Sequence, residues 1–388
     1  MRASISPSCA YRFVIISPYL LISVNSLGVR AVIRICTSTV VIVAALTILG
    51  SARADEPSLK KYTPPAHSTK DEPLAKQFSL DAAVSFLDNA ALQWTDKRGC
   101  FSCHTNLAYL YARPMVSAKA PAHDDIRNAL EKLVTERWPE KRPRWDAEVV
   151  VAAAALAHND AHTTRKLHSV TKTALDRIWT VQKKDGGIRW LNINQPPMEF
   201  DDHYGVTLAA LAVGVAPEDY AKSDEAKKGL DGLRTWLKAN PPKNLHHKTM
   251  LLWVSTYLDG FVTPAEQKAT IKELLAKQLP KGGWSTSSLG DWKRADNLEQ
   301  TPTISDGYGT GFSIYVLRRA GIPADDAALV KGIAWLKANQ RASGRWFTRS
   351  LVNDENKHYL AHIGSNFAVM AIQACAGAKL TANLEKSR

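Results

Sequence analysis

Two cysteines and a histidine stand together in one short segment of the chain. The segment reads Cys100-Phe101-Ser102-Cys103-His104. This spacing is a signature of c-type haem attachment, because two thiols can bond the two vinyl groups of one haem while the adjacent histidine ligates the iron. The motif predicts covalent haem c on Cys100 and Cys103, iron ligation by His104, and a redox partner. A Cys100–Cys103 disulfide, or a metal site completed by Cys375 or a distant histidine, is an open alternative.

A second group of residues that could take part in chemistry contains three acidic side chains, in the segment Glu199-Phe200-Asp201-Asp202. A carboxyl group kept protonated by apolar surroundings and nearby like charge can act as a general acid. The alternative is structural, because acidic residues also cap helix N-termini. Asp202 and Asp306 begin two copies of one phrase, Asp-x-Tyr-Gly, which favours the capping interpretation for both.

Apolar helical phrases recur along the chain and must position these residues. Each phrase is apolar on almost every side, so its helix must be buried within a larger assembly. The predicted inner helices begin near His104, Asp146, His203, Lys248, Tyr308 and Ile363.

Charged amphipathic segments alternate with these phrases. Their apolar residues recur at three- and four-residue spacing, which indicates helices with one buried face. The predicted outer helices span 79–94, 123–138, 168–183, 223–239, 264–279 and 324–339. Repeats of this kind stack side by side. We therefore predict an all-α protein with a single (α/α)6 barrel, or toroid, over residues 79–377, and a central cavity.

The outer helices end in a recurring pattern of glutamine, glycine and tryptophan. The copies are Gln182…Gly186-Gly187, Gln278…Gly282-Gly283-Trp284 and Gln340…Gly344-Arg345-Trp346. The pattern resembles the repeat of squalene and oxidosqualene cyclases and of protein prenyltransferase β subunits, over nearly the whole of 79–377. The resemblance implies an apolar, polycyclic or isoprenoid-like ligand in the cavity.

The same resemblance suggests roles for individual residues. Glu199-Phe200-Asp201-Asp202 is similar to the Asp-x-Asp-Asp motif of class II terpene cyclases, which implies Asp201 as the proton donor, with Glu199 and Asp202 beside it. The expected cavity residues are His203, Tyr204, Trp284, Trp292, Asp306 and Tyr308. The zinc site of prenyltransferases is not expected, because the matching phrases near Asp306 and His358 contain no cysteine.

The N-terminal region has the features of a targeting segment. Residues 37–49 form a short apolar core that follows Arg30 and Arg34, and Ala52-Arg53-Ala54 offers small residues for cleavage. We predict a signal peptide over 1–54, a translation start near Val29, and a periplasmic or otherwise extracytoplasmic protein without a stable membrane span after cleavage. An uncleaved anchor is the alternative. Residues 55–78 are expected to form a flexible arm, and 378–388 a C-terminal tail.

Composition and motifs limit the classes of function. The net charge is +13, but no basic stripe with interleaved aromatic residues is present, so nucleic acid is not an expected partner. One candidate function is an exported ligand-binding or electron-transfer barrel. The other is an enzyme, either a class II terpene-cyclase-type catalyst or an α/α-barrel enzyme that acts on polysaccharides.

Overall fold

A computed structural model describes residues 56–99, 101–143, 145–354 and 359–377, all within the compact unit Arg53–Arg388. The predicted signal peptide, Cys100, His358 and the C-terminal tail lie outside the described residues.

Twelve main helices alternate between two layers in the described residues. The odd-numbered, outer helices are α1 (Leu80–Arg98), α3 (Pro121–Lys132), α5 (Ser169–Val181), α7 (Asp224–Ala239), α9 (Pro264–Ala276) and α11 (Ala327–Ala338). The even-numbered, inner helices are α2 (Asn106–Val116), α4 (Asp146–His162), α6 (Asp202–Val215), α8 (Leu245–Val254), α10 (Gly307–Arg319) and α12 (Tyr359–Ala376). A π-helical turn, Leu133–Arg137, and a short helix, Trp138–Lys141, extend α3.

The inner helices form a closed ring. Each packs against the next in chain order, and α12 returns to α2. In α4 every residue from 147 to 160 is buried, as its all-round apolar sequence requires. The described ranges contain isolated β-bridges but no strand, and none of their helices is both long and apolar enough to span a membrane. The predicted all-α (α/α)6 barrel is confirmed.

The glutamine of each repeat joins two neighbouring outer helices. The side-chain amide of Gln182 donates to Gly186 O in its own turn and to Gly229 O in α7, both at 2.9 Å. Gln278 in the same way bonds its own turn and Ala328 O of α11. Gln340 bonds Gly344 O and, across the chain, Ser79 O at the start of α1. The last of these bridges closes the outer ring.

Glycine is required where these turns approach the next helix. Gly344 has φ +93°, and a Cβ atom there would lie 2.1 Å from Ala82 O in α1. An L-residue would therefore be strained in its backbone and would also clash with the adjacent hairpin. Trp346 ends the turn and donates through Nε1 to Leu336 O at 2.7 Å, which fastens the turn to α11. The glutamine, glycine and tryptophan of the repeat thus form the contacts that join neighbouring outer helices.

Residues 56–78, within the segment expected to form a flexible arm, follow a defined path over the outer helices. Arg345 holds this segment through an ion pair with Glu72 at 2.6 Å and a hydrogen bond to Ala66 O. Thr63 N donates to Asn89 Oδ1 of α1. These contacts are polar and join residues far apart in the sequence. The segment has few apolar residues, so no local pattern indicated its path.

Candidate active site at the mouth of the barrel

The N-terminal ends of the inner helices meet at one end of the ring, which we call the mouth. Asp201, before α6, lies 3.1 Å from His247 Nε2 at the start of α8. The neighbouring His246 Nε2 lies 2.8 Å from the hydroxyl of Tyr308 in α10. Helix N-termini carry partial positive charge and exposed N–H groups, which explains why acidic side chains collect there.

Asp201 is an ionised helix cap. Its carboxylate accepts from His203 N at 3.1 Å and is paired with His247. Burial is the largest single influence and raises the pKa of Asp201, but the hydrogen bond from His247 and the electrostatic influence of His247 and His203 together lower it more, so the net pKa is lowered. A carboxylate held ionised in this way is poorly suited to the proton-donor role that the resemblance implied for it.

Asp202 and Asp306 match in the repeat, but Asp306 is the N-cap of α10, whereas Asp202 is the first residue of α6, whose N-cap is Asp201. Asp202 accepts from Trp190 N at 2.9 Å, and Asp306 accepts from Thr286 N at 2.7 Å and from Gly309 N at 2.8 Å. The bonds from Trp190 and Thr286 come from the turn before the inner helix, whereas Gly309 lies in the first turn of α10. Burial raises the pKa of Asp306 to about 6, against the hydrogen bonds from Thr286 and Gly309, which lower it. The repeat alignment therefore predicts the cap at Asp306, whereas at α6 the cap is Asp201, and Asp202 instead bonds the preceding turn.

Glu199 has a different environment from the other acidic residues. The loop that holds it is fixed by a pair of main-chain bonds, Glu199 N to Gln195 O and Gln195 N to Glu199 O. Its Oε1 accepts a hydrogen bond from the Cys103 thiol at 3.1 Å. Burial raises the pKa of Glu199, with the thiol as a smaller, opposing influence. Burial likewise raises the pKa of Cys103, so the pair joins a protonation-prone carboxyl to a neutral thiol.

His104 lies in a closed aromatic setting at the mouth. Its ring stacks on Tyr359 with centroids 4.4 Å apart, and it meets Trp94 edge-on at 4.7 Å. The adjoining pocket, shared with Met198 and Glu199, has a volume of about 20 Å³. That volume suits about one water molecule. In this packing the described residues do not fit a porphyrin, so haem takes no part in the chemistry proposed for Glu199. Cys100 lies outside the described residues.

Aromatic side chains fill the interior of the ring, where a ligand cavity was expected. Trp253 is the centre of this packing, with ring centroids 5.4 Å from Tyr315 and 5.9 Å from Phe367. Nearer the mouth, Phe312 stacks on Tyr308 at 5.3 Å. The packing arises because each inner helix directs a large ring inward, whereas the sequence pattern indicates only that these faces are apolar.

The expected cavity residues divide between the interior and other sites. Tyr204 and Tyr308 face the interior, where both rings lie beside His246. Trp292 also meets His246, with centroids 6.0 Å apart. His203 and Trp284 do not line the interior. His203 stacks on His247 at 4.0 Å and faces Trp236 of outer helix α7.

Trp284 is fully buried between helices. It donates through Nε1 to Leu274 O of α9. Asp306, also expected in the cavity, is the cap of α10 described above.

Three interior side chains were missed by sequence reasoning. His158, Tyr111 and Trp253 are buried, and both His158 nitrogens, the Tyr111 hydroxyl and Trp253 Nε1 have no hydrogen-bond partner among the described residues. Buried polar atoms without partners are uncommon and often mark bound water, a ligand or a functional site. Only their inward helical positions could have indicated them, and the surrounding sequence is uniformly apolar.

Buried histidines make the stability of the fold depend on pH. Burial lowers the pKa of His158 and His246 well below the usual range and that of His203 to about 3. Below about pH 6.5 the unfolded chain binds protons at these sites and the folded chain does not, so stability falls on acidification by about 1.4 kcal/mol per pH unit per proton. Asp306, with its raised pKa, acts in the opposite direction.

We therefore expect the urea concentration at the midpoint of unfolding to decrease as the pH is lowered from 7 to 4.5. His203→Gln should flatten this dependence, because one of the three protonation sites is then absent from both states. A midpoint that rises on acidification would show that the carboxyl groups dominate.

Comparison with known proteins shows likeness in solved structures alone. No family model and no curated protein matches the chain. Ent-copalyl diphosphate synthase from Streptomyces platensis is similar with a TM-score of 0.48 and 12% identity, over 76% of this chain and 51% of that one. This chain thus spans about half the length of that synthase.

Two structures of the type II terpene cyclase MstE from Scytonema are also similar. The apo form gives a TM-score of 0.48 and 13% identity, over 76% of this chain and 97% of that one. A variant in complex with geranylgeranyl dihydroxybenzoate gives 0.45 and 14%, over 76% and 96%. At such identities the likeness concerns the fold alone.

Proposed function

We propose that this protein is an enzyme that protonates an apolar, isoprenoid-type substrate, as class II terpene cyclases do, with Glu199 as the proton donor. The observation that carries the proposal is the Glu199 carboxyl, which has a raised pKa and lies at the mouth of an aromatic-filled barrel. A general acid works best when its pKa is shifted toward the operating pH. Burial produces such a shift at Glu199.

The hydrogen bond from Cys103 orients the acid. The thiol donates to Oε1, which leaves Oε2 to carry the proton of the neutral carboxyl. In the proposed step this O–H bond breaks, a C–H bond forms at one alkene carbon, and the π electrons supply the new bond. The other alkene carbon becomes cationic; later transfer of a proton from this cation to water forms a new alkene, and the Glu199 carboxylate regains a proton from the solvent. Cys103 stays neutral throughout.

The interior supplies the surroundings that a carbocation needs. Faces of Tyr204, Tyr308 and Phe312 lie behind the mouth, and aromatic faces attract cations. The pocket beside Glu199 is lined by His104 and Tyr359 and holds only about 20 Å³, so substrate entry requires these side chains to move. A ligand shifts such an equilibrium when it binds the open arrangement better than the closed one.

The polysaccharide alternative is less well supported. Carbohydrate sites need an open cleft with exposed aromatic rings and paired carboxylates. Among the described tryptophans, Trp145, the residue before α4, is the one counted as exposed, at 49%, so the described residues offer no row of exposed rings. Asp201 and Asp306 are engaged as helix caps, and Asp202 accepts from Trp190 N.

Incubation in D2O tests the proposal. Squalene and geranylgeranyl diphosphate, incubated with the purified protein, should give cyclised or isomerised products that carry one deuterium at a former alkene carbon, detected by mass spectrometry. The deuterium comes from the acid, which exchanges with solvent. Products without deuterium would exclude protonation as the first step, and the absence of any product from either substrate would count against the substrate class.

Haem c and export stay predictions from the sequence. Haem ligation by His104 requires the Trp94 and Tyr359 rings to separate. Protein made in a host that matures haem c should, if the prediction holds, retain haem stain on a denaturing gel and the added haem mass. Cys100→Ala/Cys103→Ala should lose both. Wild-type protein without stain or added mass would exclude covalent haem. If the signal peptide is cleaved as predicted, sequencing of the mature N-terminus should place the cleavage site near Ala54.

A further inference from the structure

A groove opens in the outer wall of the barrel, on a different face from the mouth. It lies between α7 and α9, above α8, and has a volume of about 690 Å³. This volume is within the range of small-molecule sites, about 300–1,000 Å³.

The groove is explained by a missing joint in the repeat. The segment Trp236–Asn240 at the end of α7 matches Trp335–Asn339 at the end of α11. After Asn339 comes Gln340, which bridges α11 to α1, whereas after Asn240 comes Pro241. Proline has neither a side-chain amide nor an N–H group, so it cannot form the bridge. The outer wall is therefore not tied together between α7 and α9.

The floor of the groove is apolar. Leu237 of α7 and Leu251 of α8 are buried beneath it, and Phe261 and Val262 in the connection to α9 are half-buried along it. Aliphatic and aromatic surface of this kind favours the burial of a hydrocarbon chain, at about 25 cal/mol per Å² of apolar surface removed from water.

Most charges on the rim already have partners. Arg234 pairs with Asp231 at 2.8 Å and lies over the Phe261 ring, and Lys248 pairs with Glu273 at 2.8 Å. Glu266 accepts from Thr263 in the capping box of α9. Lys238 lines the groove and forms no ion pair with any residue that the structure describes. The rim thus offers one unneutralised cation above an apolar floor.

We propose that this groove binds a free single-chain carboxylate, such as a fatty acid, with the tail on Leu237, Leu251 and Val262 and the carboxylate at Lys238. The choice of ligand follows from charge complementarity and from the apolar floor. The site is separate from the proposed acid at the mouth and does not depend on it.

Calorimetric titration with laurate, below the concentration at which it forms micelles, tests the site. Wild type should bind laurate saturably at one site. Ala269→Trp, which fills the groove from the exposed face of α9, should weaken binding by at least about tenfold. Ala265→Trp is the matched control, since Ala265 is exposed on the same helix and does not line the groove.

A second comparison tests the role of Lys238. Lys238→Met should weaken laurate binding by about threefold to fivefold, as expected for the loss of one exposed charge pair, and leave dodecanol binding unchanged. Lys228→Met, on an exposed part of α7 outside the groove, should change neither. No saturable laurate binding, or equal binding by Ala269→Trp and wild type, would overturn the site. If Lys238→Met weakens the binding of laurate and of dodecanol equally, the assignment of the carboxylate to Lys238 is overturned.

Discussion

Glu199→Gln is expected to lower turnover of the isoprenoid substrate by about 10²–10⁴-fold, the contribution typical of a positioned general acid. Glutamine keeps the size of the side chain and a carbonyl oxygen that can accept from the Cys103 thiol. The main-chain bonds of the loop to Gln195 do not involve the side chain. The loss should therefore appear in kcat while the urea midpoint stays close to that of wild type.

Asp201→Asn is the matched control for this substitution. Asparagine is a good helix cap, so α6 should still form, but the ion pair with His247 is lost. We expect near-normal turnover and lower stability, the opposite of the result for Glu199→Gln. If Asp201→Asn abolishes turnover and Glu199→Gln does not, the proton donor is Asp201, and the ion pair must break before catalysis.

Trp253→Ala should lower the free energy of unfolding by about 3–5 kcal/mol, the usual cost of removing a large buried ring. Trp253 is 2% exposed and lies against rings from other inner helices, with centroids 5.4 Å from Tyr315 and 5.7 Å from His158. Its removal leaves a cavity in the centre of the ring, which the surrounding helices cannot fill without moving together.

Trp145→Ala is the control for the loss of a tryptophan. Trp145 is 49% exposed, and a substitution at such a position usually changes stability by about 0.5 kcal/mol or less. Urea unfolding followed by circular dichroism gives both values. Equal stability of Trp253→Ala and wild type would mean that the interior is loosely packed and already open to ligands.

The repeat made much of the fold predictable. The expected starts of the inner helices at Asp146 and His203 lie within one residue of the observed starts, because an all-round apolar phrase can occupy only a buried helix. The positions of Gln278 and Gln340 likewise indicated how hairpins join, since side-chain amides and glycine turns recur in register. Local pattern was sufficient here because each repeat interacts mainly with its neighbours.

The chemistry of the mouth could be predicted only in part. The Asp-x-Tyr-Gly repeat correctly indicated the cap at Asp306, whereas the cap of α6 is Asp201 and Asp202 is the first helical residue. The distinction between Asp201 and Glu199 was not visible, because it depends on partners remote in sequence. His247 lowers the pKa of one carboxyl, whereas burial beside Cys103, 96 residues away, raises that of the other. The filled interior was also unpredicted, since packing density is not encoded in a pattern of apolar faces.

The bond between Gln340 and Ser79 joins residues 261 positions apart and has a consequence for biosynthesis. A nascent chain leaves the ribosome from its N-terminus, so α1 is made long before its partner turn exists. Until α12 has also emerged, the apolar sides of α2 and α10 that it covers stay open to solvent. Unlike an open solenoid, which can add finished units one at a time, this ring is completed only once α12 has been made. Its earlier hairpins must therefore be protected from aggregation, for example by chaperones, until the last one arrives.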